Sequence, residues 1–201
     1  MIDVFKIIKN TQVEGPGIRF CIWVQGCKKR CPDCWAKDTW EFGVGIKYSV
    51  EDLFLQIKET QGIEGVTFLG GEPFEQAKEL SILASKIKSI GLNLLCFSGY
   101  TLAELRGKNN QWVNSLLSQV DLLIDGGFEK DNFDLSRPWV GSSNQCYHYL
   151  TDAYSPEIIS QYKNKIEARI DENGKLEING MGDFEQIKRT LCLQPLKNNV
   201  K

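Results

Sequence analysis

An α/β fold built on a parallel sheet is what this sequence predicts, on three observations. Short runs rich in β-branched and aromatic residues alternate with capped, helix-periodic segments between residue 18 and about residue 125. The spacing leaves room for crossovers between successive strand-like runs, as parallel pairing requires. Each such run stops at a cluster of Gly, Cys, Ser or Asp, and in sheets of this kind ligands gather at the carboxyl ends of the strands.

Taken in order, "IRFCIWVQG" (18–26) reads as a buried strand that runs directly into the cysteine-rich "CKKRCPDCW" (27–35). "SVEDLFLQIKET" carries a capping box, Ser49 with Asp52 in place of the usual Glu, ahead of Leu53, Phe54 and Ile57 at helical spacing. "GVTFLGGEP" is a short apolar strand stopped by two glycines, and "FEQAKELSILASKIKSIG" is a helix closed by Gly91. "LNLLCFSGY" repeats the strand, "TLAELRG" the capped helix, "QWVNSLLSQ" adds further helix, and "VDLLIDG" is another strand. The stops at 27–34, 70–73, 98–100 and 125–127 should therefore share one mouth. A longer irregular stretch leads to "CYHYL", read as a strand, and "IEARIDENGKLEING" reads as a hairpin around 171–174.

The 201 residues are 42% apolar, enough for one good core, so one domain over 1–201 is expected. A net charge of −2 with acids and bases interleaved advertises neither a nucleic-acid nor a membrane partner. "MIDVFKIIKN" lacks the apolar core of a signal peptide, and no run approaches the ~20 apolar residues of a membrane span. A cytoplasmic protein is expected. In a reducing compartment, seven cysteines point to metal binding, catalysis or burial rather than to disulfides.

The clustering of Cys27, Cys31 and Cys34 can be read several ways. Structural zinc would need a second pair of ligands, yet Cys96, Cys146 and Cys192 stand alone and His148 is the only histidine. A redox dithiol at 31–34 would leave Cys27 and the paired glycines without a role. An iron-sulfur cubane remains: three cysteines of one loop reach three irons and leave the fourth open, as catalytic metal sites do.

The runs "VEGPGIRFCIWVQGCKKRCPDCW", "GGEP", "CFSGYTLAEL", "VDLLIDGGF" and "GSSNQCYHYL" resemble, in order and spacing, the radical S-adenosylmethionine activating enzymes. The likeness is greatest to the activase of anaerobic ribonucleotide reductase, and the first run is also similar to the pyruvate formate-lyase activase. It spans residues 10–150 and leaves 151–201 as a C-terminal extension. The resemblance implies a partial (β/α)6 barrel and a radical S-adenosylmethionine oxidoreductase, in which Cys27, Cys31 and Cys34 hold a 4Fe-4S cluster whose open iron is chelated by S-adenosylmethionine. Reductive cleavage would yield a 5′-deoxyadenosyl radical that takes hydrogen from a glycine of a glycyl-radical partner enzyme. A low-potential electron donor such as flavodoxin or ferredoxin is implied as well.

By the same resemblance, Gly70, Gly71 and Glu72 form the glycine motif that receives the cofactor's amino group, with Gly71 leaving room and Glu72 ordering the turn. Ser98 is a candidate cofactor contact from the third strand. Asp33, Trp35, Asp125 and Asn144 are further candidates, Trp35 as a shield against water; a turn-shaping Asp125 and a capping Asn144 are the blander readings. Cys21 and Cys96 read as buried thiols, Cys146 and Cys192 have no partner motif, and His148 reads as a strand histidine. Two features depart from the family: Val140 stands where an Arg usually precedes G-S-S-N-Q, and the chain continues about 50 residues beyond the last motif. They favour as alternative a free-standing radical enzyme acting on a small molecule, nucleotide or peptide. A noncatalytic iron-sulfur module is a second alternative, and it would leave the glycine motif unused.

Overall fold

The computed structural model describes residues 1–170, 172–183 and 189. The chain opens with β1 (Ile2–Thr11) and β2 (Arg19–Val24), continues through the cysteine loop to β3 (Ile46–Tyr48) and α1 (Val50–Glu59), and then alternates: β4 (Gly65–Gly70), α2 (Ala77–Ser89), β5 (Asn93–Ser98), α3 (Leu102–Gly107), α4 (Gln111–Leu117), β6 (Leu122–Asp125). There follow β7 (Cys146–Tyr149), the single turn α5 (Pro156–Ile159), and the hairpin β8 (Ile166–Ile170) and β9 (Leu176–Gly180). Asp171 and Cys192 lie outside the described residues. Among the described residues no helix is long and apolar enough to cross a membrane.

The first seven strands form one sheet in the order β3-β1-β2-β4-β5-β6-β7. Its centre, β2-β4-β5-β6, is parallel, and the crossovers between these strands carry the helices. Both flanks are antiparallel: β1 on β2, β3 on β1, and β7 on β6. The class is therefore α/β as expected, with four parallel strands where the barrel expectation has six. The difference lies at the ends of the sheet, where β1, β3 and β7 pair antiparallel and no α-helical crossover leads into them.

Both faces of the parallel strands are buried, which is why they read as continuous apolar runs. Phe20, Ile22, Val66, Phe68, Leu94, Cys96 and Leu123 face α1, α2 and α4. On the opposite face Leu95, Leu122 and Ile124 pack under Trp139, Val140, Tyr154 and Ile159 from the stretch after β6. The capping box read at Ser49 with Asp52 forms, and the structure adds a second, Thr101 with Glu104. Gly91, at φ +80°, ends α2.

Candidate functional site

The carboxyl ends of β2, β4, β5 and β6 meet at one cavity of about 160 Å³, lined among others by Cys27, Cys31, Cys34, Gly70, Gly71, Glu72 and Ser98. The cysteine loop is closed at its base by two backbone bonds, Gly26 N to Thr39 O at 2.7 Å and Cys27 N to Trp40 O at 3.0 Å. Gln25 braces it from inside, donating from Nε2 to the carbonyls of Asp38 and Glu41. Within the loop, Cys34 N donates to Cys31 O at 3.0 Å, and Ala36 N donates to Cys34 Sγ at 3.3 Å. Arg30, at φ +46°, turns the chain between the first two cysteines.

The glycine turn after β4 is fitted against this loop. Glu72 N donates to Gly26 O at 2.9 Å, and Gly71 N to Val24 O at 2.8 Å. A Cβ on Gly70 would stand 2.8 Å from Val24 N and O, and one on Gly71 would stand 2.5 Å from Gly26 O. Gly70 thus admits the backbone at the end of β2, and Gly71 that at the base of the cysteine loop. Glu72 is fully buried and ties two strand ends together: it accepts from Phe74 N (3.0 Å), Ser98 Oγ (3.0 Å) and Gly99 N (2.8 Å). Burial pushes its pKa up to about 7 against these hydrogen bonds.

The other expected residues divide. Asn144 does not line the cavity but donates from Nδ2 to the carbonyl of Gly127, which does, at 2.8 Å. Asp125 is turned away: its carboxylate accepts from Leu102 N at the start of α3 and lies 2.8 Å from Nε2 of His148 on β7, off the line of a straight hydrogen bond. Asp33 and Trp35 line a neighbouring cleft of about 660 Å³, which shares Cys34 and Phe128 with the cysteine cavity. Cys21 and Cys96 are buried in the sheet, where burial raises their thiols, and Cys146 is exposed on β7.

Lys29, Trp40, Gly99, Gly126, Gly127, Phe128 and Gln145 also line the cavity, and were not singled out in the sequence. The strand-end rule already grouped 98–100 and 125–127, so the glycines were within reach of it. Gln145 and Phe128 come from the irregular stretch, which carries no period to place them. In that stretch Val140 is fully buried in the second core cluster, and Arg137 donates to the carbonyls of Ser142, Ser143 and Gln145.

The donor set suits an iron-sulfur cluster. Among the described residues no three His, Cys, Asp or Glu side chains converge as for a single ion. A cubane instead takes its thiolates on separate irons around the cluster. Walls of glycine leave the space: a Cβ on Gly127 would stand 3.1 Å from Cys31 Sγ. Burial raises the Cys27 and Cys31 thiols above their ordinary range, so bound iron would have to displace their protons.

A family model described as "4Fe-4S single cluster domain" matches residues 13–148. The chain is 35% identical over 148 residues to an anaerobic ribonucleoside-triphosphate reductase-activating protein of Pasteurella multocida (strain Pm70), covering 69% of this chain and 92% of that protein. It is 32% identical over 146 residues to the protein of that name from Escherichia coli (strain K12), with 69% and 92% covered. The one from Enterobacteria phage T4 is 30% identical over 147 residues, with 70% and 89% covered.

Proposed function

Because this chain belongs to the anaerobic ribonucleoside-triphosphate reductase-activating proteins, with their 4Fe-4S single cluster domain, we propose that Cys27, Cys31 and Cys34 hold a 4Fe-4S cluster that binds S-adenosylmethionine at its open iron. When bound and reduced, the pair supplies a 5′-deoxyadenosyl radical that takes hydrogen from a glycine of a glycyl-radical partner, here an anaerobic ribonucleotide reductase. A low-potential donor such as flavodoxin or ferredoxin provides the electron. A partial barrel belongs to this reading, supported by four parallel strands whose carboxyl ends surround the cysteine loop.

The observation that carries the proposal is the junction of the cysteine loop and the glycine turn in one small cavity. Gly26 and Gly71 hold the two in register, and Glu72 fixes the turn to the end of β5 through Ser98 Oγ and Gly99 N. These residues orient, and the narrow glycine-walled space excludes water from whatever fills it. Asp33 and Trp35 line the adjoining cleft, where they contact the cofactor's outer end or the incoming loop, and Asn144 serves the cofactor by steadying the cavity wall at Gly127. Asp125 acts one step behind, by holding the start of α3. The one-domain organisation, with motifs in 10–150 and an extension in 151–201, is part of the same reading.

Anaerobic reconstitution tests it. About four irons per chain and a change in the reduced cluster's paramagnetic spectrum on adding S-adenosylmethionine are expected. Tight zinc binding with no reconstitutable cluster would contradict it.

A further inference from the structure

Between β6 and β7 the chain folds back on itself in a small hairpin. Phe133 and Ser142 form an antiparallel bridge, Ser143 N donates to Asn132 O at 2.8 Å, and Asp134 N donates to Gly141 O at 3.0 Å. The tip is clasped by Asn164, which lies beyond the residues 13–148 that the family model matches. Its Oδ1 accepts from Trp139 N at 2.7 Å, and its Nδ2 donates to the carbonyls of Leu135 and Arg137, both at 2.9 Å. A bulky residue keeps a left-handed φ only where its surroundings fix it. Trp139, at φ +59°, is fixed by the Asn164 bond and by the Tyr162 ring, whose centre is 5.2 Å from its own.

The clasped hairpin displays an aromatic side chain. Phe133 is 53% exposed and lines the cleft of about 660 Å³ together with Trp35, Lys37, Asp38 and Lys130. An exposed aromatic on a fixed backbone loses little freedom on binding, a property of the residues that dominate interfaces. The cleft joins the cysteine cavity at Cys34 and Phe128 and has about four times its volume, so a polypeptide loop that brings a hydrogen to the cavity approaches through it. Lysines and aspartates in one lining suit a backbone that offers both carbonyls and N–H groups.

Resting on the function proposed above, we infer that Phe133 is a specificity-determining contact for the glycine-bearing loop of the partner enzyme, and that Asn164, from the C-terminal extension, is the positioning residue that holds it there. Asn164 lines neither the cavity nor the cleft. The extension thus acts on the site at one remove: Asn164 fixes the hairpin, and the hairpin presents Phe133.

Equilibrium binding of the reconstituted full-length chain to the cognate anaerobic ribonucleotide reductase, with S-adenosylmethionine present, tests this beside two controls, iron content and affinity for S-adenosylmethionine alone. Phe133→Ala should weaken reductase binding by about tenfold and leave both controls at their wild-type values, and Phe133→Tyr should restore binding. Asn164→Ala should weaken reductase binding in the wild-type background and change nothing further in the Phe133→Ala background, a non-additivity that a general loss of stability would not produce. Unchanged reductase binding in Phe133→Ala, a parallel loss of affinity for S-adenosylmethionine, a lower iron content, or additive effects of the two substitutions would overturn the inference. Wild-type chain that holds the cluster and S-adenosylmethionine but does not bind the reductase would overturn the parent reading as well, so the two failures are told apart by the wild type alone.

Discussion

At the scale of single residues, the three cysteines should behave alike and the other four should not matter to the cluster. Replacing Cys27, Cys31 or Cys34 by Ala should abolish a stable 4Fe-4S cluster, read as iron and sulfide content, whereas Ala at Cys21, Cys96, Cys146 or Cys192 should leave it. Gly71 carries a demand the sequence alone does not show. Read alone it leaves room for a cofactor, and Gly71→Val would then keep the cluster; with Gly26 O only 2.5 Å from the added Cβ, the variant should instead displace the cysteine loop and lose iron as well. Full iron content in Gly71→Val would refute that. Glu72 gives a pH signature. Its folded pKa of about 7 lies above the ordinary 4.5, so the folded state holds a proton that the unfolded state has lost. The contribution is therefore fully present below pH 4.5 and disappears as pH rises through about 7. Thermal unfolding midpoints of the wild type should fall across that window more steeply than those of Glu72→Gln; parallel curves would contradict the buried-carboxyl account. The three cysteines were legible as a cluster from their spacing and the glycine motif only through the family resemblance, whereas Lys29, Gln145 and Arg137 owe their places to loop geometry that leaves no period.

At the scale of elements, the local signals that were read correctly are those with a mechanism inside a few residues. Both capping boxes form, and loss of either side chain should cost about 1 kcal/mol in denaturant unfolding. Ser49→Ala, on a helix remote from the cavity, should do so without changing iron content. The strand β1 was not read as one, although it is 10 residues long: the register slips between Val4 and Lys6 against β2, so the alternation of buried and exposed positions breaks in mid-strand. The hairpin was read, but its docking was not. Glu167 accepts from Thr11 Oγ1 at 2.6 Å and from Gln12 N at 3.2 Å, and Glu14 accepts from Gly180 N at 2.7 Å. These are contacts across more than 150 residues that no local pattern encodes. Glu167→Ala should make amide exchange in β8 and β9 easier by about 1–2 kcal/mol of local opening, and an unchanged exchange rate there would show that the ties carry no stability.

At the scale of the whole molecule, alternating strands and helices predicted the class, and the carboxyl-end rule predicted where the cysteines, the glycine turn and Ser98 would meet. The antiparallel flanks were out of reach, because pairing direction depends on how the chain returns across the whole sheet. The same arrangement leaves a cleft of about 660 Å³ opening beside the cysteine cavity and joined to it at Cys34 and Phe128, room for an approaching loop of another protein. An activase consumes one cofactor for each partner it converts, while an enzyme of small molecules consumes one for every product. The most direct test of the account is therefore electron paramagnetic resonance of an anaerobic ribonucleotide reductase after incubation with the reduced, reconstituted chain and S-adenosylmethionine. The account predicts a glycine-centred doublet on the reductase, with 5′-deoxyadenosine formed in step with it; no radical on the reductase, together with 5′-deoxyadenosine accumulating over many turnovers with a small molecule, would contradict it.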